Sequence, residues 1–334
     1  MEWSRKRKLT YTMGLVNIGM IDLPGYRPDN TPDNRIEIPK VEFYITNVCN
    51  LTCHNCNRYN NHDFKGFQKW SDYKEIYTEW AKKIKIKHIV ILGGEPLLNP
   101  TIIEWINGLH RLWPVYQSQV ITNGTYLNKI PNLYEKTKYQ TWFQISIHNT
   151  NDIDAHFQNI QKFLTEPIEM FNDKTQVDGQ GKSATWGEDF LFKDKNNIVV
   201  TASIQDDFYN ISIHLNENNQ LTLHNNNPIE AHQDCGFAKY KNYHFIRGKL
   251  YKCGPVALIP EFDRQYPLAI SSEDRELLNS YTPLSVADFD QHGREFLANI
   301  DNVIPQCKFC PSSFSNTKIY ALNKAKDSTS SFKA

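Results

Sequence analysis

Apolar and polar positions alternate along residues 41–164 with two periods, one typical of strands and one typical of helices. Residues 41–46 (VEFYIT) predict a strand, residues 71–83 predict a helix with Ser71 as its N-cap, and residues 88–93 (HIVILG) predict a buried strand. The alternation then continues. Predicted helices follow at 101–112, 127–137 and 153–164, and predicted strands at 119–122 and 141–148. Repeated strand and helix units predict an α/β fold with a parallel sheet or barrel.

The pattern changes on both sides of this region. Residues 1–40 have no period and carry four prolines, which predicts an extended N-terminal arm. Residues 189–223 predict two or three strands with turns at 195–197 and 216–219, and residues 224–232 (HNNNPIEAH) predict a linker. One further helix is predicted at 286–299. The predicted division is an arm at 1–40, a barrel at 41–223, a smaller domain at 224–323 and a flexible tail at 324–334.

Charge and hydropathy narrow the functional classes. The chain has 334 residues with 37 Lys+Arg and 37 Asp+Glu, so its formal net charge is zero and a nucleic-acid partner is not favoured. Basic residues between 239 and 252 are interpreted as the solvated face of a hairpin rather than a binding patch. The sequence has no run of the ~20 apolar residues of a membrane span and no secretory signal pattern. We therefore expect a cytoplasmic protein without a membrane partner.

Seven cysteines form two groups, three early and four late. An odd number does not suit a pure disulfide scheme, and closely spaced cysteines in a reducing compartment are typical of metal or catalytic sites. Cys49, Cys53 and Cys56 have the spacing C-x3-C-x2-C directly after the first predicted strand. Structural zinc needs four ligands, with His54 or His62 as possible fourth ligands. Three thiolates are better suited to a 4Fe-4S cluster with one open iron position.

Three further motifs follow neighbouring predicted strands in order. Gly93-Gly94-Glu95-Pro96 follows HIVIL, Thr122-Asn123-Gly124 follows the next strand, and Gln144-Ile-Ser146-Ile-His148 belongs to the one after. Together with the C-x3-C-x2-C triplet and its Cys-Asn-Leu start, these motifs resemble those of the radical S-adenosylmethionine (radical SAM) superfamily. The resemblance implies a partial (β/α)6-type barrel with a catalytic 4Fe-4S cluster on Cys49, Cys53 and Cys56. It also implies SAM contacts from Gly93, Gly94, Glu95, Pro96, Asn123, Ser146 and His148.

Each of these residues also has a structural interpretation. Gly93-Gly94 and Asn123-Gly124 are ordinary turn pairs, and Ser146 and His148 could be satisfied polar groups of a strand. One position departs from the family pattern. The residue before the third cysteine, usually an aromatic beside the adenine, is Asn55, and Tyr59 is a candidate replacement. His62 and Trp186, in polar loops, are candidates for substrate contact.

The late cysteines form a second predicted site. Cys235 and Cys253 have the spacing C-x12-G-x4-C with Gly248 inside it, and Cys307-x2-Cys310 follows. The strand-like segments YHFIR and KLYK around Arg247-Gly248 predict a hairpin that folds Cys253 back towards Cys235. Four thiolates can hold either zinc or an iron-sulfur cluster, and the spacing alone favours zinc. The pattern resembles the short "twitch" form of the SPASM-like auxiliary-cluster domain of radical SAM enzymes. That resemblance implies a second, fully ligated 4Fe-4S cluster.

These resemblances together imply a radical SAM oxidoreductase. SAM would be reductively cleaved to a 5'-deoxyadenosyl radical that abstracts a hydrogen atom from a substrate C–H bond, with the auxiliary cluster accepting an electron. Dehydrogenation of a small polar metabolite is favoured over peptide or protein modification, such as crosslinking or epimerisation. An external donor of the flavodoxin or ferredoxin type would supply electrons. The alternative from another class is a non-catalytic zinc-binding module.

Overall fold

The computed structural model describes residues 34–312 apart from 54–55, 63, 115–116, 138–139, 165–168, 174–188, 194–197, 205–210 and 240. Most of the predicted arm, the predicted tail, His54, Asn55 and Trp186 lie outside the described residues. The strands are β1 (Ile36–Tyr44), β2 (Ile84–Leu92), β3 (Gln117–Thr122), β4 (Trp142–Ile147), β5 (Glu169–Asp173), β6 (Asp189–Lys193), β7 (Ile198–Ile204), β8 (Ile213–Leu215), β9 (Leu221–Leu223), β10 (Tyr243–Ile246) and β11 (Lys249–Tyr251). The α-helices are α1 (Trp70–Lys83), α2 (Ile102–Leu112), α3 (Leu133–Thr137), α4 (Ile153–Phe163), α5 (Pro228–Gln233), α6 (Gly236–Lys239), α7 (Gly254–Gln265), α8 (Ser272–Asn279) and α9 (Arg294–Asn299).

The main sheet has nine strands in the order β11-β10-β1-β2-β3-β4-β7-β6-β5. The six central strands, from β10 to β7, pair in parallel, and each end of the sheet is closed by antiparallel strands. Helices pack against this mostly parallel sheet. The predicted α/β fold class, a partial radical SAM-type barrel, is therefore confirmed. β8 and β9 form a separate two-stranded sheet.

The two faces of the sheet differ in chemistry. Helices α1–α4 cover one face, where buried tryptophans fill the core and satisfy their indole N–H groups on backbone carbonyls. Trp80 donates to Gly248 O at 2.9 Å and Trp105 donates to Gln68 O at 2.8 Å. Towards the carboxyl ends of β1 and β2 the opposite face packs on α7. Near its middle, the opposite face instead carries polar side chains.

Those polar side chains connect three adjacent strands. His88 Nε2 on β2 lies 3.0 Å from Gln119 Oε1 on β3, and Gln119 Nε2 donates to Gln144 Oε1 on β4 at 3.1 Å. Side chains two apart on a strand point to the same face, so these residues belong to the face opposite α1–α4. Glu42 of β1 has the same orientation and is 4% exposed. The interior of the open barrel is therefore hydrogen-bonded and charged.

The first strand and first helix differ from the predictions. β1 begins at Ile36, inside the predicted arm, and includes Pro39; this proline is tolerated because β10 pairs with β1 only at residues 41–43. Helix α1 begins at Trp70, so Ser71 is not its N-cap. The helix start is fixed by a tertiary contact, because Trp70 N donates to Thr101 Oγ1 at 3.1 Å.

Three other predicted segments also differ. The helix predicted at 127–137 is reduced to α3, because Asn132 before it has a positive φ of 57°. The predicted linker contains helix α5, which starts with Pro228 after the N-cap Asn227; the Asn227 side chain accepts from Ile229 N. Residues 286–299 contain a short π-helix, Phe289–Gly293, ahead of α9. The described parts of residues 189–223 form four strands rather than two or three, and the turn predicted at 195–197 lies outside the described residues.

The late segments do not all lie apart from the barrel. β10 and β11 form the predicted hairpin around Arg247 and Gly248, and β10 joins the main sheet beside β1. The predicted domain boundary at 223/224 stays a prediction. Across the described ranges, no helix is both long enough and apolar enough to cross a bilayer.

Candidate functional site

The loop that carries the first three cysteines is attached to the loop after β2. Gly94 N donates to Thr46 O at 2.8 Å, and Glu95 N donates to Val48 O at 2.8 Å. These bonds extend the pairing of β1 and β2 past the end of both strands. Cys49, next to Val48, therefore leaves the sheet directly beside the Gly-Gly-Glu loop.

Both glycines of that loop are required by this close approach. A Cβ on Gly93 would lie 2.5 Å from Thr46 O, and a Cβ on Gly94 would lie 2.3 Å from Val48 O. Both distances are too short for non-bonded atoms, so any side chain here would push the cysteine loop away. The pair therefore has a packing role, and its predicted role in holding SAM stays a prediction.

Glu95 joins the loops after β2 and β3. Its carboxylate is 1% exposed and accepts from Thr122 Oγ1 at 2.6 Å, Asn123 N at 2.8 Å and Leu97 N at 2.9 Å. Burial raises the pKa of Glu95 to about 7, although these three donors oppose the rise. The side chain points into the protein and connects the two loops by hydrogen bonds.

Asn50 connects the cysteine loop to this hydrogen-bond network. Its Oδ1 accepts from Asn123 Nδ2 at 2.9 Å, and its Nδ2 donates to Thr125 Oγ1 at 3.0 Å. Thr125 Oγ1 donates in turn to Asn123 Oδ1 at 2.7 Å. Asn50 is not among the residues predicted from the sequence, although it is the Asn of the Cys-Asn-Leu start.

The remaining predicted SAM contacts lie along the same edge of the sheet. Pro96 is buried and begins the 3-10 turn Pro96–Leu98 after β2. Ser146 is 6% exposed on β4, in register with Ser203 of β7, and His148 follows the end of β4. The carboxyl ends of β2, β3 and β4 thus bring the predicted residues to one edge, where open α/β sheets bind ligands.

The three early cysteines are neighbours in a partly buried loop. Burial first, and then the charge of Glu95, raise the pKa of the Cys49 thiol to about 12. Burial, followed by the neighbouring Cys56 and Cys49, raises the pKa of Cys53 above its usual range. Such thiols ionise only when a metal or cation stabilises the thiolate. As donors, three adjacent cysteines suit an iron-sulfur cluster.

The four late cysteines line a single cavity. Cys235 lies between α5 and α6, Cys253 directly precedes α7, and Cys307 and Cys310 belong to the segment around the 3-10 helix Pro305–Phe309. Burial and the neighbouring thiols raise the pKa of Cys310, to about 12, and of Cys253. Segments distant in sequence therefore bring four soft sulfur donors to one place, a donor set that fits a thiolate-ligated metal centre.

Among the described residues, the cysteines of neither group lie close enough together to enclose a metal ion. Within the described chain, no group of three or more His, Cys, Asp or Glu side chains is drawn together as a bound metal ion would require. Ligand assignments therefore rest on the shared loop and the shared cavity, and they stay predictions.

Arg58, two residues after Cys56, reaches towards the second cysteine group. Its Nη2 lies 2.5 Å from Glu42 Oε2 on β1, and His244 Nε2 on β10 lies 2.8 Å from the same oxygen. Burial alone would raise the pKa of Glu42, but Arg58 and His244 lower it to about 2. A Cβ on Gly254, next to Cys253, would lie 3.0 Å from Arg58 Nη1. The Arg58 guanidinium thus lies between the segment of the early cysteines and the segment of Cys253.

Tyr59 makes a second connection. It has a positive φ of 61°, is 3% exposed, and shares a hydrogen bond with Ser212, whose Oγ lies 3.4 Å from Cys310 Sγ. His62 packs its ring against Phe262 at 4.8 Å. Both side chains are thus engaged with the second cysteine region or α7. Their predicted contacts with adenine and substrate stay predictions.

Comparison with known proteins gives a family match for the barrel segment. Residues 43–169 match the family model described as the radical SAM superfamily. This stretch of the chain is similar to radical SAM domains. The match includes all three early cysteines and the motifs after β2, β3 and β4. By itself it does not extend to the late cysteines.

Curated proteins that match part of this chain are named GTP 3',8-cyclases. That of Listeria monocytogenes serotype 4b is 33% identical over 91 residues, which are 27% of this chain and 27% of that protein. The probable GTP 3',8-cyclase of Methanocaldococcus jannaschii is 32% identical over 143 residues, 42% of this chain and 43% of that protein. The matches thus span less than half the length of these relatives.

Solved structures show weaker overall likeness. A crystal structure of BtrN in complex with AdoMet and 2-DOIA has a TM-score of 0.43 and 14% identity, covering 87% of this chain and 100% of that one. A crystal structure of Streptococcus suis SuiB bound to S-adenosylmethionine has a TM-score of 0.29 and 19% identity, covering 36% of this chain and 28% of that one.

Proposed function

We propose that this protein is a radical SAM oxidoreductase that dehydrogenates a small polar metabolite. One observation carries the proposal: the three-cysteine loop is bonded to the Gly-Gly-Glu and Thr-Asn-Gly loops at the carboxyl edge of three adjacent parallel strands. When bound there, a 4Fe-4S cluster and SAM would supply a 5'-deoxyadenosyl radical. Cys49, Cys53 and Cys56 would hold the cluster.

The chain's own residues would position these cofactors. Glu95 fixes the loops after β2 and β3 relative to each other, and Asn50 fixes the cysteine loop to both through Asn123. Buried hydrogen bonds of this kind pre-organise a site, so that binding does not have to order the loops. We assign SAM contacts to Gly93, Gly94, Glu95, Pro96, Asn123, Ser146 and His148.

The oxidoreductase class rests on the second cysteine group. Four cysteines around one cavity would hold an auxiliary 4Fe-4S cluster in a twitch-like domain, joined to the first loop through Arg58 and Tyr59. In the net reaction the substrate would lose a hydrogen atom to 5'-deoxyadenosyl, one electron to the auxiliary cluster and one proton to solvent. A flavodoxin or ferredoxin would deliver the electron that cleaves SAM.

The polar barrel interior supports the substrate class. His88, Gln119 and Gln144 form a continuous hydrogen-bonded row on the face not covered by α1–α4. Amide and imidazole groups recognise hydroxyl and amino groups by paired donors and acceptors. A small polar metabolite suits such a row better than an apolar side chain of a peptide.

Anaerobic reconstitution tests the cofactors. We expect about eight iron and eight sulfide per chain, and formation of 5'-deoxyadenosine from SAM with dithionite. Replacing Cys49, Cys53 and Cys56 by Ala should remove about half of the iron and all of the 5'-deoxyadenosine. Replacing the four late cysteines should remove the other half and leave SAM cleavage measurable. A colourless protein with stoichiometric zinc would refute the proposal in favour of a zinc-binding module.

Product analysis separates the substrate classes. Three assays are compared, with polyhydroxylated or amino-substituted metabolites, with GTP and with synthetic peptides. We expect substrate-dependent 5'-deoxyadenosine and a product two mass units lighter, as any dehydrogenation requires, with the first class. Conversion of GTP into a cyclised nucleotide would instead indicate the activity for which the relatives are named. A crosslinked peptide would favour peptide modification.

A further inference from the structure

Lys252 is a buried lysine at the wall of the four-cysteine cavity. It lies between β11 and Cys253, is 7% exposed and lines the cavity with all four late cysteines. Its Nζ donates to Ile300 O at 2.5 Å, and its backbone N–H donates to Tyr281 OH at 2.9 Å. These bonds hold the ammonium group at a fixed place.

The charge of this lysine has no carboxylate partner among the described ion pairs. Lysine is rarely buried without a counter-charge, because a neutral carbonyl replaces only part of the lost hydration. Asp301 lines the same cavity, but its carboxylate accepts from Tyr243 OH at 2.5 Å and pairs with Lys241 at 3.2 Å. Burial lowers the pKa of Lys252, and the sulfurs of Cys253 and Cys307, which line the same cavity, act against that fall.

We propose that Lys252 is the counter-charge of a thiolate-ligated cluster in this cavity and raises the reduction potential of that cluster. The inference rests on the proposed function, which places an auxiliary 4Fe-4S cluster on Cys235, Cys253, Cys307 and Cys310. A cluster with four thiolate ligands is an anion and becomes one charge more negative when it accepts an electron. A fixed cation in a region of low dielectric stabilises the more negative state more strongly.

Lys308 provides a matched comparison. It follows Cys307 directly and is also a lysine, but its Nζ pairs with Asp274 at 2.8 Å, so its charge is balanced by a carboxylate. Proximity in sequence to a cysteine is therefore common to both lysines. Only the buried lysine without a carboxylate partner should have a large effect on the potential.

The test is a potentiometric titration monitored by electron paramagnetic resonance. The full-length chain with Cys49, Cys53 and Cys56 replaced by Ala is used, so that the auxiliary cluster alone gives a signal. Three substitutions are made separately in this triple-Ala chain: Lys252→Met, Lys252→Arg and Lys308→Met. We expect Lys252→Met to shift the potential to more negative values, Lys252→Arg to restore most of the shift, and Lys308→Met to have a smaller effect. Equal potentials for Lys252→Met and Lys308→Met would overturn the inference.

Iron content distinguishes failure of the proposed auxiliary cluster from failure of the inference about Lys252. If the triple-Ala chain binds no iron, the proposed auxiliary cluster is wrong and this inference falls with it; iron with unchanged potentials overturns this inference alone. Should Lys252→Met fail to incorporate iron, Lys252→Gln gives the second measurement, because its amide can still donate to Ile300 O but carries no charge. It should show the same shift to more negative values, and an unchanged potential would overturn the inference.

Discussion

Glu42 Oε2 lies 2.5 Å from Arg58 Nη2, and this ion pair joins the first strand of the sheet to the segment that follows the third cysteine. The side chains are 5% and 13% exposed. His244 on β10 approaches the same oxygen. A strand of the barrel, the cysteine loop and a strand beside the late cysteines are thus held by one carboxylate.

We predict that Arg58→Gln destabilises the protein by about 3–5 kcal/mol, because it removes the guanidinium partner of the buried Glu42 carboxylate and leaves only His244 beside the same oxygen. Equilibrium unfolding in urea measures this free energy. The exposed pair of Lys82 and Glu79 is the control, and Lys82→Gln should cost less than about 0.5 kcal/mol. Similar losses for the two variants would contradict the prediction.

The pH dependence of stability should follow Glu42. Because its pKa is lowered to about 2 in the folded protein, this carboxylate stabilises the fold above its ordinary pKa of 4.5. That stabilisation, roughly 3 kcal/mol, is lost as the pH falls from 4.5 towards 2. Urea titrations across the acid range measure it. Glu42→Gln should be less stable near neutral pH and should lack this part of the acid dependence; parallel curves for both proteins would refute the assignment.

Gly94→Ala should displace the cysteine loop, since its Cβ would meet Val48 O at 2.3 Å. We expect a loss of stability of about 1–3 kcal/mol and a large loss of iron from the early cysteines. Gly236→Ala is the control, because this glycine is adjacent to Cys235 but a Cβ there meets nothing within 4 Å. Iron analysis after anaerobic reconstitution distinguishes them. Full iron content in Gly94→Ala would show that the close approach is not needed.

Asn50→Ala should weaken SAM binding about tenfold, because about 1.4 kcal/mol of pre-organisation is lost with its two side-chain hydrogen bonds. Calorimetric titration of the reconstituted protein measures the affinity. Asn128→Ala is matched in residue type and also removes side-chain bonds, here to Asn159 on the surface. It should leave the affinity unchanged. Equal affinities for the two variants would remove Asn50 from the SAM site.

The sequence predicted those parts of the site that depend on neighbouring residues in the chain. The motifs at the ends of β2 and β3 were located because buried strands of this kind have a clear local pattern. Long-range pairings have no such pattern. The contact between Glu42 and His244 depends on β10 entering the main sheet beside β1, and the start of α1 depends on Thr101. The sequence predicts a solvated hairpin face for the basic residues from Lys239 to Lys252, whereas Lys252 is buried in the structure.

The parallel pairing of β1 with β10 has a consequence for biosynthesis. Residues 41–43 leave the ribosome long before residues 243–245, with which they pair. During that interval the nascent chain exposes an open edge of an apolar strand, and such edges bind other chains or chaperones. Arg58 also lacks its full set of neighbours until His244 has been translated. We therefore expect that iron is inserted only into the completed polypeptide, and that chains stopped before β10 aggregate.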